Sequence, residues 1–294
     1  MPDDRREFTS VDHLIIAVRD LAEAERNYTR VLGRAPSWKG THPGMGTANV
    51  LYRLANTYVE LLGPAGEGAN ADALTKHLDE KGEGIFGIAL GTDDAEATVA
   101  TLQAKGIAAA APVDGSGVDT LTGATRRWRT FGLPREATHG LFIFGIQHLG
   151  EADALPPAPL SDGISQANAV SACDHIVVMT PDAEACKTLF GDKFGIRLAL
   201  DHSKPEWGVR QLFFRLGGVT LEVVQPLDAK RAPKAEHFWG LAWKADDVAA
   251  TAARLAAAGH DVSEAKPGRK QGTLVATIKP PTNGIPTILV GPAN

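Results

Sequence analysis

The sequence predicts an α+β protein of four β-α-β-β-β modules, grouped as two domains, and three observations predict it. Asp12-His13-Leu14-Ile15-Ile16 returns as Asp174-His175-Ile176-Val177-Val178. The run Tyr52–Pro64 (YRLANTYVELLGP) returns as Phe214–Pro226 (FRLGGVTLEVVQP), and both repeats keep one offset of 162 residues. Between them, Gly87-Ile88-Ala89 leads through Asp93-Asp94 into an Ala-rich stretch, and Gly240-Leu241-Ala242 does the same through Asp246-Asp247, 153 residues later. Self-similarity of this kind marks structural units before any motif does.

Each module follows one order. An apolar run of strand length comes first, followed by an Asp suited to cap a helix: Asp20, Asp93, Asp182 or Asp246. About a dozen helical residues follow and stop at Gly33, Gly106, Gly195 or Gly259, where glycine tolerates the left-handed turn that ends helices. In the first module Glu23 stands three residues after Asp20, a box-like start signal. Short strands complete the unit, as in Val50–Leu54 and Thr57–Leu62. Residues 151–170 carry Pro156-Pro157, Pro159 and Gly163 without helical or alternating pattern, and read as an exposed crossing between a domain at 11–150 and another at 171–294.

Composition narrows the function classes. At 44% hydrophobic and 22% charged, the 294 residues suit a globular protein with a large core. A net charge of −5 gives no general attraction to nucleic acid or anionic membrane, so a small-molecule partner is expected instead. Cys173 and Cys186 are the only cysteines, which excludes disulfide scaffolds and Cys-rich zinc modules. The charged N-terminus is not followed by a signal-type core, and the longest apolar runs, such as Val219–Val224, are far too short to span a bilayer, so the expected location is the cytoplasm.

The chemistry-bearing candidates are histidines and carboxylates set in strands. His13 and His175 open apolar strands, while Glu60 and Glu222 interrupt the apolar runs Tyr-Val-Glu-Leu-Leu and Leu-Glu-Val-Val. A carboxylate inside a packed sheet is costly unless paired, hydrogen-bonded or metal-bound. If strand alternation turns His13 and Glu60 to the same concave face, they form a ligand pair suited to Zn, Fe, Mn or Ni. The plain alternative is a rim histidine and a solvent-facing glutamate. His42, in the glycine-rich Thr41–Thr47 segment, and His202, matched to it through a two-residue indel, are candidate substrate donors or third ligands. His148 and His237 lie at strand ends, whereas His77, His139 and His260 read as surface positions. On one strand, Arg126, Trp128 and Thr130 alternate with Arg127, Arg129 and Phe131, and the inward Arg is expected to have a dedicated anionic partner, a structural carboxylate in preference to a substrate's. The basic turn Lys266–Gly272 lacks the context of a phosphate loop, and no G-x-S-x-G elbow is present.

The four modules, with Asp-His opening the first and third and Glu closing their sheets, resemble the vicinal oxygen chelate superfamily over about 11–290. That group includes glyoxalase I, extradiol dioxygenases, methylmalonyl-CoA epimerase and the bleomycin and fosfomycin resistance proteins. The resemblance implies curved half-barrel sheets with flanking helices, built from paired modules and enclosing a divalent metal that chelates adjacent substrate oxygens. It implies His13, Glu60, His175 and Glu222 as metal ligands and gives Glu60 and His42 catalytic roles. Substrate contacts would come from His42, His202, His148 and the aromatic walls Phe86, Trp128 and Trp239. Seven residues before the Asp of modules two and four stand Phe86 and Trp239, which cannot ligate, and the last strands of those modules carry no carboxylate. Only a pairing of modules one and three would gather two His and two Glu. The expected activity is a metal-dependent, glyoxalase-like lyase or isomerase on a small, oxygenated, partly apolar substrate. The alternatives are an Fe(II) ring-cleaving dioxygenase and a metal-free sequestering protein. A homodimer is compatible with all three.

Overall fold

The computed structural model describes residues 7–42, 44–150 and 154–293; the first six residues, Pro43 of the glycine-rich segment and residues 151–153 of the crossing lie outside the described residues. The first half forms an eight-stranded sheet from β1 (Ser10–Ala17), β2 (Trp38–His42), β3 (Thr47–Arg53), β4 (Tyr58–Pro64), β5 (Gly84–Gly91), β6 (Val113–Val118), β7 (Thr125–Gly132) and β8 (Ile143–His148). The second half repeats it with β9 (Val170–Met179), β10 (Arg197–Lys204), β11 (Val209–Leu216), β12 (Val219–Pro226), β13 (His237–Ala245), β14 (Lys266–Pro267), β15 (Thr273–Ile278) and β16 (Thr287–Pro292). The spatial orders match: β2-β3-β4-β1-β5-β8-β7-β6 and β10-β11-β12-β9-β13-β16-β15-β14.

Within each module the first strand runs parallel to the last, as β1 does to β4, because the intervening helix carries the chain back to its starting edge. These helices are α1 (Leu21–Leu32), α3 (Ala95–Ala104), α4 (Ala183–Lys187, extended by a π-helical turn at Thr188–Lys193) and α5 (Val248–Ala257); α2 (Ala69–Lys81) is an addition to the first module. Modules one and two join through antiparallel β1 and β5, and modules three and four through β9 and β13. His13 and Glu60 therefore share one sheet, His175 and Glu222 the other, and no single site gathers all four.

Helix caps correct the sequence reading by one residue. Asp20 and Asp182 cap α1 and α4 as expected, but Asp94 caps α3 and Asp247 caps α5, each accepting a first-turn backbone N–H. Counting seven residues back now lands on Gly87 and Gly240 rather than Phe86 and Trp239. In a strand, one residue is the difference between the two faces.

The first sheet nearly closes into a barrel. A β-bridge from Gly40 to Asp119 links β2 to the far end of β6, and Asp119 clamps it by accepting from the Lys39 N–H (3.1 Å) and the Thr122 hydroxyl (2.6 Å). Among the described residues no such bridge joins β10 to β14, which has only two residues, and the second sheet stays open. One buried core runs through both halves, from Phe8, Leu14 and Leu32 to Phe194, Trp243 and Leu289. The crossing, expected as a free linker, is pinned: Arg34 donates to the carbonyls of Ala158 (2.9 Å) and Val170 (2.7 Å). From the other half, Arg254 donates to the carbonyls of Arg30 and Val31 at the end of α1, where unsatisfied helix carbonyls favour a cation.

Candidate functional site

The site begins with a bulge. β1 pairs with β5 through Val11–Leu90 and His13–Ala89, so Asp12 is an extra residue with no partner opposite. Neighbouring strand residues normally face opposite ways, but here the Asp12 carboxylate accepts from Nδ1 of its own neighbour His13 at 2.8 Å. Its other oxygen meets His148 Nε2 at 2.9 Å. Burial pushes the Asp12 carboxyl up, yet the two imidazoles outweigh it and hold the group far below the ordinary carboxylate range. β9 carries the same bulge, with Asp174 unpaired between Cys173 and His175 and 2.9 Å from His175 Nδ1.

The opposite edge of each imidazole faces the predicted glutamate. His13 Nε2 lies 3.4 Å from Glu60 Oε2, and His175 Nε2 lies 3.3 Å from Glu222 Oε2. The remaining glutamate oxygen is held by an amide: Asn49 Nδ2 donates to Glu60 Oε1 at 2.8 Å, and Gln211 Nε2 to Glu222 Oε1 at 2.5 Å. Asn49 and Gln211 are separated by the repeat's own offset of 162, so the duplication carried a signal for them that was not used. Each ring is thus aimed by an Asp and each carboxylate by an amide.

The histidines of the β2 and β10 hairpins complete these amide networks differently. His42 sits 3.4 Å from Asn49 Nδ2 and 2.9 Å from the Thr47 hydroxyl. His202 lies 3.2 Å from Gln211 Oε1. The registers Gly40–Asn49 and His202–Gln211 make His202 the counterpart of Gly40, so the repeat needs no indel and His42 has no true equivalent.

The half of each site contributed by modules two and four is apolar. Five residues before the caps, Ile15 pairs with Glu60 and Val177 with Glu222, whereas Ala89 pairs with Phe144 and Ala242 with Ile288. Phe144 presents its ring edge-on to His13, where a second carboxylate would stand. A β-carbon on Gly87 would come within 2.6 Å of Phe142, so that position is also closed to a ligand.

The other candidates divide. His13, Glu60, His42, Asn49, Trp128 and Arg126 line a small cavity of about 150 Å³ in the first sheet. His175, Glu222, Gln211 and Trp239 line a far larger one of about 1230 Å³, which Arg26, Asn27 and Glu83 of the first half help to wall. Phe86 belongs to neither: it packs beside Leu74 and Leu78 of α2 and edge-on to His77. His148 sits at the domain junction, bound to Asp12, and His202 is held by Gln211. His237 is exposed. Two histidines read as surface positions are not free: His260 is buried, and His139 brings Nδ1 together with Cys186 and Glu236, their ligand atoms lying within 4.8 Å of one another. That cluster was missed because its members come from three distant segments. Burial pushes the Cys186 thiol up to about 12, so it is an unreactive thiol as it stands.

The comparisons fit this geometry. A family model described as a glyoxalase-like domain matches residues 11–171, more than half of the chain, and one described as the glyoxalase/bleomycin resistance protein/dioxygenase superfamily matches 174–277. The chain belongs to the glyoxalase-like family. A 4-hydroxymandelate synthase mutant from Streptomyces coelicolor superposes with a TM-score of 0.68 at 15% identity, covering 98% of this chain and 93% of that one. An Mn(II)-bound glyoxalase from Novosphingobium aromaticivorans gives 0.64 at 17% identity, covering 98% and 83%. A hypothetical protein from Staphylococcus aureus gives 0.63 at 15%, covering 95% and 97%. Likeness at this identity establishes the two-domain vicinal oxygen chelate fold and nothing about reaction. No curated protein matches in sequence.

For a glyoxalase-like domain, the question is whether these residues suit a divalent cation. A neutral imidazole has one N–H, and the Asp12 carboxylate takes it at Nδ1. In the neutral form that metal binding requires, Nε2 turns a lone pair toward the Glu60 carboxylate at 3.4 Å, two acceptors face to face. A positive charge between them removes that repulsion, and a carboxylate behind the ring is the usual support of a metal-bound histidine. The residues present fit the group, with fewer protein donors than a closed structural site uses.

Proposed function

We propose that the first-sheet cavity is the reaction site of a metal-assisted lyase or isomerase acting on a small, oxygen-bearing, partly apolar substrate. The observation that supports it is the pair of aimed acceptors, His13 Nε2 and Glu60 Oε2, 3.4 Å apart and almost wholly shielded from solvent. His13 and Glu60 would hold a divalent ion, with His42 beyond the Asn49 amide as the nearest further donor. Such an ion supplies Lewis-acid polarisation of a substrate oxygen.

The chain's own groups provide the rest. Asn49 fixes one Glu60 oxygen, and Oε2, the oxygen aimed at the cation position, would also be the one to exchange a proton with a substrate carbon beside the polarised oxygen. Burial, reinforced by the Asp12 charge, keeps the Tyr58 phenol protonated, and its hydroxyl remains a donor on the cavity wall. Phe144, Trp38 and Trp128 exclude water and offer an apolar surface to the substrate. Ring-opening dioxygenation is less well supported, since each sheet offers one His and one carboxylate where iron oxygenases use two His and one carboxylate.

The test is elemental analysis of protein purified without chelator, with Glu60→Ala and Glu222→Ala beside it. Bound transition metal that falls in Glu60→Ala supports the reading. Loss confined to Glu222→Ala moves the reaction to the second sheet. Wild-type protein with less than about a tenth of an equivalent of metal favours the sequestering alternative.

A further inference from the structure

Arg126 is only 7% exposed, yet among the described residues no carboxylate lies within the 4.0 Å that defines an ion pair with it. The structural partner expected from the sequence is not found among the described residues. The neighbouring Arg129 shows the contrast, pairing with Asp114 at 2.9 Å. Arg126 instead rests on three aromatic faces: Tyr58 at 5.4 Å, Trp38 at 5.5 Å and Trp128 at 6.0 Å. Such faces soften the cost of burying a guanidinium but leave its forked donors without an acceptor of matching charge.

Its position gives the unpaired charge a use. Tyr58 stacks on His13 with ring centroids 4.5 Å apart and also lies under Arg126, so one ring links the cation to the His13–Glu60 pair. Arg126 and Tyr58 also border the cleft of about 750 Å³ at the domain junction, and so form the wall between that cleft and the first-sheet cavity. Among the described residues, the carboxylates nearest this wall are already committed: Asp12 to His13 and His148, Glu60 to Asn49, Asp119 to Thr122 and backbone. In the second sheet β15 reads Thr-Leu-Val-Ala-Thr-Ile, and the guanidinium that lies over an aromatic ring beside that cavity, Arg269 on Trp207, is exposed.

We infer that Arg126 is a specificity-determining residue that receives a carboxylate of the ligand in the first-sheet cavity, so that the substrate class is a small oxygenated carboxylic acid. This rests on the proposal that the first sheet holds the reaction site, and extends it to the identity of the substrate. A planar carboxylate matches the guanidinium fork in two parallel hydrogen bonds.

The experiment uses the full chain and four probes, lactate and pyruvate against their neutral amides, followed through tryptophan fluorescence, since Trp38 and Trp128 flank the guanidinium. Wild type should bind the acids at least about tenfold more tightly than the amides. Arg126→Met should lose that preference while amide binding stays level, and Arg126→Lys should restore only part of it. Because Met removes an unpaired buried charge, Arg126→Met should also unfold at the same or a higher temperature. The inference is overturned if wild type shows no preference for the acids, if Arg126→Met retains it, or if Arg126→Met lowers the Tm by more than about 5 °C, which would mark a structural cation. Glu60→Gln keeps the two proposals separable: loss of metal with the acid preference intact affects the cation site alone.

Discussion

Replacing Asp12 by asparagine probes the arrangement on which the candidate site depends. The carboxylate receives His13 Nδ1 at 2.8 Å and His148 Nε2 at 2.9 Å, and both contacts are charge-assisted. Asparagine keeps the shape and can still accept from one ring and donate to the other, so folding should lose only about 1 kcal/mol. Alanine leaves both rings unpaired and should cost about 3–5 kcal/mol, measured by urea unfolding. The functional effect is separate. Without a full negative charge behind it, His13 becomes a poorer donor at Nε2, and loss of such a supporting carboxylate weakens metal binding by about 10–100-fold. That corresponds to about 1.4–2.7 kcal/mol, which calorimetric titration with Mn(II) resolves easily. The matched change Asp174→Asn should weaken only the second sheet's pair, so the two variants in a Glu222→Ala background isolate the first. If Asp12→Asn there binds Mn(II) within about twofold of its parent, the carboxylate does not support the ring and the reasoning fails.

Four further outcomes follow from the same coordinates. Asp119→Asn should reopen the β2–β6 closure, and its penalty should depend on pH: Thr122 and backbone N–H groups outweigh burial and hold the Asp119 carboxyl below its ordinary value. Wild type should therefore exceed the variant by its full margin above about pH 4, with the margin draining away as pH falls through the lowered native pKa; a pH-independent difference in urea unfolding contradicts this. Gly145→Ala places a methyl group inside the ring of buried Phe131 and should destabilise by about 1–3 kcal/mol, and an unchanged Tm would show that the ring has room to move. Arg34→Ala removes donors to Ala158, Val170 and Gln166, so it should cost about 2–4 kcal/mol and raise proteolytic nicking of the crossing, which Arg34→Lys should only partly repair. Asn49→Leu should free Glu60 Oε1 and lower Mn(II) affinity about tenfold, whereas Gln211→Leu should leave the first site unchanged in the same titration.

Much of this was legible in the chain because duplication copies position as well as residue. The offset of 162 singled out His13, Glu60, His175 and Glu222, and each imidazole lies beside its own sheet's glutamate, at 3.4 and 3.3 Å. The failures have local causes. A second Asp at each of two helix starts displaced the cap by one residue, which put Phe86 and Trp239 where Gly87 and Gly240 belong. Asp12 was hidden because period-two alternation assigns it to the face opposite His13, and only the bulge turns it back.

By itself the sequence determined the module order, the strand identities and the residue types at both His–Glu pairs, since periodicity, caps and repeats act over a few neighbouring residues. Tertiary structure alone decided which modules share a sheet, and so why two half-sites form instead of one set of four ligands. It also decided that the first sheet closes through Gly40 and Asp119 while the second stays open, and that Arg126 is buried with no carboxylate at ion-pair distance among the described residues. These outcomes depend on contacts between residues scores of positions apart, where packing and electrostatics choose among pairings that local patterns leave equal.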